Sequence, residues 1–266
     1  MAILENAVDE IDAVTIEAAD ASRMDIYLQP HSDDVCFSLG ALAHRRRRGL
    51  LLTAFSIAQY VAARPGIAPP TAEAVTAIRL AEDRAFAAAC GLDTRFLGVK
   101  GASMLGHGPW DLGWVEENAA RIETTLLEIL LSSARGQRPN TRPWLFVPSG
   151  IGGHVDHVAI MSIVTRHYDR LAEIYRLGFY EDLHYASDFA ARRAGLAGLL
   201  QAVPGKPLRR HAWTLGAGVL RKLKLIQLYA SQFVDPPYSI ERFTPATEAP
   251  AAPHEAIWSE EPAGPA

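Results

Sequence analysis

Cysteine is scarce in this sequence: Cys36 and Cys90 are the two among 266 residues, too few for a disulfide framework. Each sits in an apolar or alanine-rich stretch, where cysteine serves as a small buried hydrophobe. Disulfide-dense secreted scaffolds are therefore excluded, and a reducing cytoplasm is the expected location. No run approaches the roughly 18 apolar residues of a membrane span, and Met1 to Asp20 carries acidic residues where a secretory signal would start basic. Neither export nor membrane insertion is expected. An excess of one charge is also lacking, with 26 basic against 30 acidic residues and a formal net charge of -4. No overall field gathers nucleic acid or an anionic surface, so affinity must come from a local site. The one charge run, Arg45 to Arg48 beside His44, falls at the end of an expected helix, where it complements the helix dipole.

What is present is ordinary globular material, 49% hydrophobic, enough for a large core. No Pro/Gly/Ser-rich linker divides the middle of the chain, and there is no internal repeat. Met24 to Gln29 reads as a short buried strand that ends at Pro30 and a polar cluster. A helix over 35–48, a strand over 50–57 and a long alanine-rich helix from Thr71 to Cys90, stopped by Gly91, follow. The pattern continues with a short strand near 95–97, a glycine-rich loop to Gly113, a helix over 114–134 with apolar spacing at Ile122, Leu126 and Ile129, and a strand over 144–147. Gly150, Gly152 and Gly153 break that strand before a helix expected over 157–168. Another strand over 174–179 and basic helical segments to about Phe233 complete an α/β pattern. The boundaries are a leader at 1–23, a single domain at 24–246, and a tail at 247–266 that its Ala, Pro and Glu content marks as disordered.

Chemistry concentrates in two clusters, His31-Ser32-Asp33-Asp34 and Gly153-His154-Val155-Asp156-His157. Each follows a strand and precedes a helix, and in an open parallel sheet such loops converge at the carboxyl ends of the strands. Two histidine-rich and carboxylate-rich corners have the composition of a zinc site, in which about three ligands leave a position open. Alone, either cluster reads equally well as a helix cap with polar gap-filling.

Together they resemble the family of phosphatidylinositol-glycan de-N-acetylases and bacterial thiol-sugar deacetylases (PIG-L/LmbE-like), whose signatures run roughly A-H-P-D-D-E and H-P-D-H. The segments Ile78 to Gly98, Tyr180-Glu181-Asp182-Leu183 and Lys224 to Gln232 also look like family segments, so the resemblance covers roughly 24–233. It implies a Rossmann-like, three-layer α/β/α fold with a mostly parallel sheet, and zinc-dependent hydrolysis of an N-acyl amide, usually acetyl on an amino sugar. Carried over, it makes His31, Asp34 and His157 the ligands of one Zn2+ (other divalent ions being allowed), Asp33 the general base and a cationic His154 the aid to oxyanion and leaving amine. Asp156 then orients His154 or His157, and Arg79 and His184 become candidate substrate contacts. Arg79 has an alternative as an exposed helix pair with Asp83.

The expected partner is a small N-acylated molecule, with no nucleic acid and no membrane insertion; the oligomeric state, including a homo-oligomer, is open. Departures from the family include Ser32, Val35 and Val155, and Gly101 where an aspartate is common. They leave the metal centre intact and put the substrate pocket in doubt. The alternatives are an amidase for a larger acyl or thiol-sugar conjugate, a non-catalytic binding protein of the same fold, and a two-metal phosphoesterase, which needs more ligands than these loops offer.

Overall fold

The computed structural model describes residues 24–62, 68, 70–133, 142–235, 239–247 and 250–260. The expected leader at 1–23 lies outside the described residues. Seven strands form one sheet: β1 (Ile26–Gln29), β2 (Leu50–Thr53), β3 (Asp93–Phe96), β4 (Trp144–Pro148), β5 (Arg176–Tyr180), β6 (Arg209–Thr214) and β7 (His254–Ser259). Their order is β3-β2-β1-β4-β5-β7-β6. The first five are mutually parallel, while β7 runs antiparallel to both its neighbours. This is the expected α/β architecture with a mostly parallel sheet.

The helices that flank the sheet are α1 (Asp34–Arg46), α2 (Ala72–Cys90), α3 (Val115–Ser133), α4 (Val155–Arg166), α5 (Tyr168–Ala172), α6 (Phe189–Ala202) and α7 (Val219–Ile226). Sequence explains most of their limits. The Thr71 side chain accepts from Ala74 N at the start of α2, and Gly91 closes it in the left-handed region at φ 65, a conformation that costs glycine nothing. In α3 the spaced Ile122, Leu126 and Ile129 are all buried, each worth about 1.5–3 kcal/mol of apolar transfer. The inner strands β1, β2 and β4 are buried along their length, as strands covered on both faces must be.

Two expectations about the carboxyl-terminal third are corrected. The stretch read as basic helical segments contains β6, and the tail read as disordered contains β7, buried at every position. Averaged composition hid a six-residue strand whose charge is internally satisfied. Glu255 sits 2.9 Å from Lys222 of α7, both fully buried, and accepts the backbone N–H groups of Ala41 and Leu42. Those donors are released where α1 bends at Leu39 (φ -129, ψ 20). Glu181 fixes the same edge, accepting from Arg192, Arg210 and the Trp258 indole. The Arg45–Arg48 run does end α1, and Arg46 is additionally tied to Asp25 at 2.7 Å.

Candidate active site

The direction in which strands are added to the sheet reverses between the parallel β1 and β4: β2 and β3 continue to one side of β1, β5 to the other side of β4. That is the switch point at which α/β sheets open a crevice at their carboxyl edge. The two motifs lie there. His31 to Asp34 link β1 to α1, and His154 to His157 link the glycine turn after β4 to α4. Gly152 (φ 89) is required in that turn, because a Cβ there would lie 2.4 Å from the Tyr185 ring.

One ligand atom from each of His31, His154 and His157 falls within 4.8 Å of the others. Asp34 lies between two of them, Oδ1 3.4 Å from His157 Nε2 and Oδ2 3.6 Å from His31 Nδ1. The opposite ring nitrogens are engaged by carboxylates: His31 Nε2 donates to Asp156 at 2.8 Å and His157 Nδ1 to Asp182 at 2.7 Å. Each imidazole therefore holds a proton on its outer nitrogen and turns its inner nitrogen toward Asp34. A carboxylate behind each ligating histidine is the usual support of a metal site. By donor type and convergence, the expected set of His31, Asp34 and His157 suits a divalent cation.

His154 differs. Its Nδ1 accepts the backbone N–H of Asp156 at 3.2 Å, capping α4, which leaves its proton on Nε2. Burial and then the neighbouring His31 and His157 push its pKa down to about 3. His154 is thus a neutral N–H donor rather than the cation expected. Asp156 is corrected as well: its side chain orients His31, not His154 or His157, and also accepts from Ala102 N.

Electrostatics sort the carboxylates. Asp34, though buried, is held well below the usual carboxylate range by His157 and His31. Burial raises Asp33, with Arg79 opposing and Asp34 assisting, up to about 7. Burial also disfavours charge on His31, but hydrogen bonds to Asp156 and Asp34 outweigh it and lift the imidazolium to about 10. A divalent ion held between these groups would displace that proton. Asp33 itself has φ 104, a region costly for a residue with a Cβ, and its place at the mouth of α1 depends on its neighbours.

Arg79 is one of those neighbours. It is buried, 3.2 Å from Asp33, and donates to the Ser32 carbonyl; the exposed pair with Asp83 does not form. Asp83 instead accepts from Gln29, Ser32, Thr53 and Tyr229, so helix α2 grips the first motif from beneath. Arg79 and His184 both line the cavity, whose volume is about 410 Å³, and the His184 ring packs 4.8 Å from that of Tyr185. Sequence reasoning missed Asp182, Asp83 and Trp110. A signal for Asp182 existed, since a carboxylate two residues beyond the end of β5 points to the same sheet edge as both motifs.

Gly101, where an aspartate was noted as common, borders the same cluster. A Cβ at Gly101 would meet Asp156 Oδ2 at 2.6 Å and His31 Nε2 at 3.6 Å. The space of a side chain at 101 is taken by the carboxylate that orients His31.

Solved structures of deacetylases share this fold. The deacetylase of the antimicrobial A40926 pseudoaglycone aligns with a TM-score of 0.60 at 19% identity, over 90% of this chain and 97% of that one. The zinc-inhibited form of a teicoplanin deacetylase gives 0.57 at 19% identity, over 88% and 96%. The N,N'-diacetylchitobiose deacetylase of Pyrococcus horikoshii gives 0.52 at 14% identity, over 84% and 75%. No family model matches the chain, and no curated protein does. The chain shares the fold of these solved deacetylases. Among the described residues no helix is long and apolar enough to cross a membrane.

Proposed function

We propose that this chain is a metal-dependent N-deacetylase, hydrolysing the N-acetyl amide of an amino sugar or of an aminated natural-product intermediate. The observation that carries the reading is the pairing of two carboxylate-backed imidazoles around Asp34 with a buried neighbouring carboxylate, Asp33, whose pKa is raised to about 7. A base is most useful near the working pH.

His31, Asp34 and His157 would hold the metal, and zinc suits the imidazole and carboxylate donors, with other divalent ions competing by availability. Bound there, the ion would supply Lewis acidity, polarising the acyl oxygen and acidifying water. Asp33 takes the proton from that water, with Arg79 holding its carboxylate in place. His154, neutral with its Nε2–H free of the cap, donates to the acyl oxygen as negative charge develops there. The leaving nitrogen departs as an amine after receiving the proton held at Asp33. Solved deacetylases of the A40926 pseudoaglycone, of teicoplanin and of N,N'-diacetylchitobiose share the fold, which supports the amino-sugar class. The two cysteines are free and buried, which suits a reducing compartment, and the proposal places the enzyme in the cytoplasm.

The test is metal content and acetate release measured on the same preparations of wild type, Asp34→Ala and Asp33→Ala. About one equivalent of zinc is expected in wild type and Asp33→Ala, but not in Asp34→Ala, with activity in wild type alone. A wild type that takes up no metal when zinc is supplied sinks the reading. Amidase action on larger acyl groups is the second reading, favoured by the cavity of about 410 Å³, and a series of acyl chain lengths separates the two.

A further inference from the structure

Trp110 is 63% exposed although it lines the active-site cavity. Its ring lies 6.5 Å from that of His154, inclined at 73°, so the indole stands beside the reacting end of the cavity with most of its surface in solvent. Exposure of a large aromatic side chain is informative when the backbone under it is fixed. Here it is fixed on both sides. The Pro109 carbonyl accepts Val155 N at 2.8 Å, joining the loop to the first turn of α4. Asp111 accepts from Gly113 N and from the Trp114 indole, and the His107 ring stacks on Trp114 at 3.8 Å and 8°.

A second aromatic, Tyr60, also 63% exposed, lines the same cavity from the segment after β2. That segment is joined to the Trp110 side. Ile57 N donates to the Val99 carbonyl at 3.1 Å, and Gln59 Nε2 to the Ser103 carbonyl at 3.2 Å. Two exposed aromatic rings thus project from loops that are bonded to each other. Away from the metal ligands and Asp33, the one charged side chain among the described residues of the lining is Arg79, and it is engaged by Asp33. At 101, where a carboxylate would offer a fixed acceptor for sugar hydroxyls, glycine leaves none.

We propose that Trp110 and Tyr60 form a rim subsite that holds a flat, uncharged aromatic group on the amine side of the substrate. An acetyl group ends at the metal centre, so whatever reaches the rim must be attached to the nitrogen-bearing part. Apolar faces on a rigid loop bind such a group without the entropy cost of ordering the site. The proposal rests on the deacetylase reading for the bond that is cut, but the contact itself is independent of turnover.

Calorimetric titration of chelator-treated protein with the phenyl and the methyl glycosides of N-acetylglucosamine tests it. Wild type is expected to bind the phenyl glycoside about tenfold more tightly than the methyl one. Trp110→Ala should abolish that ratio and Trp110→Phe should restore most of it. Equal affinities in wild type, no measurable binding of either, or a ratio unchanged in Trp110→Ala overturns the subsite. Amine release from both glycosides by the metal-loaded enzyme is scored separately. A binding preference without amine release leaves the rim standing and removes the deacetylase reading. Release from both without a binding preference does the reverse.

Discussion

His157 donates its Nδ1–H to Asp182 in a hydrogen bond of 2.7 Å, and that carboxylate is itself immobilised by the backbone N–H of Ser149 and Ile151 and by the Ser149 hydroxyl. The ring cannot turn without breaking a buried network, so its Nε2 stays directed toward Asp34. Asp182→Asn should therefore weaken divalent metal binding by about 10–100-fold while the chain remains folded. Competition titration with a chromophoric chelator reads the affinity, and circular dichroism reads the fold. An unchanged affinity would remove Asp182 from the site's support.

The pH profile follows from Asp33. Its carboxyl is raised to about 7 by burial, with Arg79 pulling it down, and only the ionised form accepts a proton. The rate should rise with pH through about 7 on the acid side. Arg79→Gln removes the opposing cation, so the acid limb should move to higher pH by about one unit or more. Profiles of kcat/KM for the two proteins decide it, and a limb that stays put or moves to lower pH contradicts the assignment.

In the metal-free protein, His31 is held protonated up to about 10 by Asp156 and Asp34. A raised folded-state value stabilises fully below the ordinary histidine range and is lost as pH rises through about 10. The melting temperature of the metal-free chain should fall between about pH 7 and 10, and less so in His31→Gln. Zinc binding at pH 8 should release about one proton from His31, measurable by calorimetry in buffers of different ionisation enthalpy.

Gly101→Ala tests the crowding around Asp156. The new methyl would lie 2.6 Å from Asp156 Oδ2, so the carboxylate must leave His31. Metal affinity should fall by about tenfold or more, with little change in far-ultraviolet dichroism. Full retention of affinity would show that Asp156 is not needed to orient His31.

The buried pair behind β7 is testable through stability. Lys222→Met leaves Glu255 charged and without its cation in a fully buried position, at a cost of about 3–5 kcal/mol. Urea denaturation should register the loss, and adding Glu255→Gln should recover part of it. Equal stability of Lys222→Met and wild type would mean that the pair does not hold β7.

Local pattern carried a good part of this protein. The β-α-β order of the first half, the glycine stop at Gly91, and the position of both His/Asp motifs after strand ends all follow from periodicity and turn chemistry, which act over a few residues. What pairs with what was not local. Asp182 looks like an ordinary acidic residue until the sheet sets it behind His157, and Asp156, expected to orient His154 or His157, is set behind His31. Asp83 and Arg79 share one helix, yet one grips the floor of the first motif and the other reaches the base. β7 read as tail because of the Ala, Pro and Glu content around it, and only the lysine of a distant helix makes burial of its glutamate affordable. Sequence by itself determined where the strands end and which side chains are available there. Tertiary structure decided which nitrogen of each histidine faces inward, which carboxylate is raised and which lowered, and which aromatic rings stand free. Those properties depend on burial and on charges brought close by sheet order, across up to 214 residues of chain in the contact of Ala41 with Glu255.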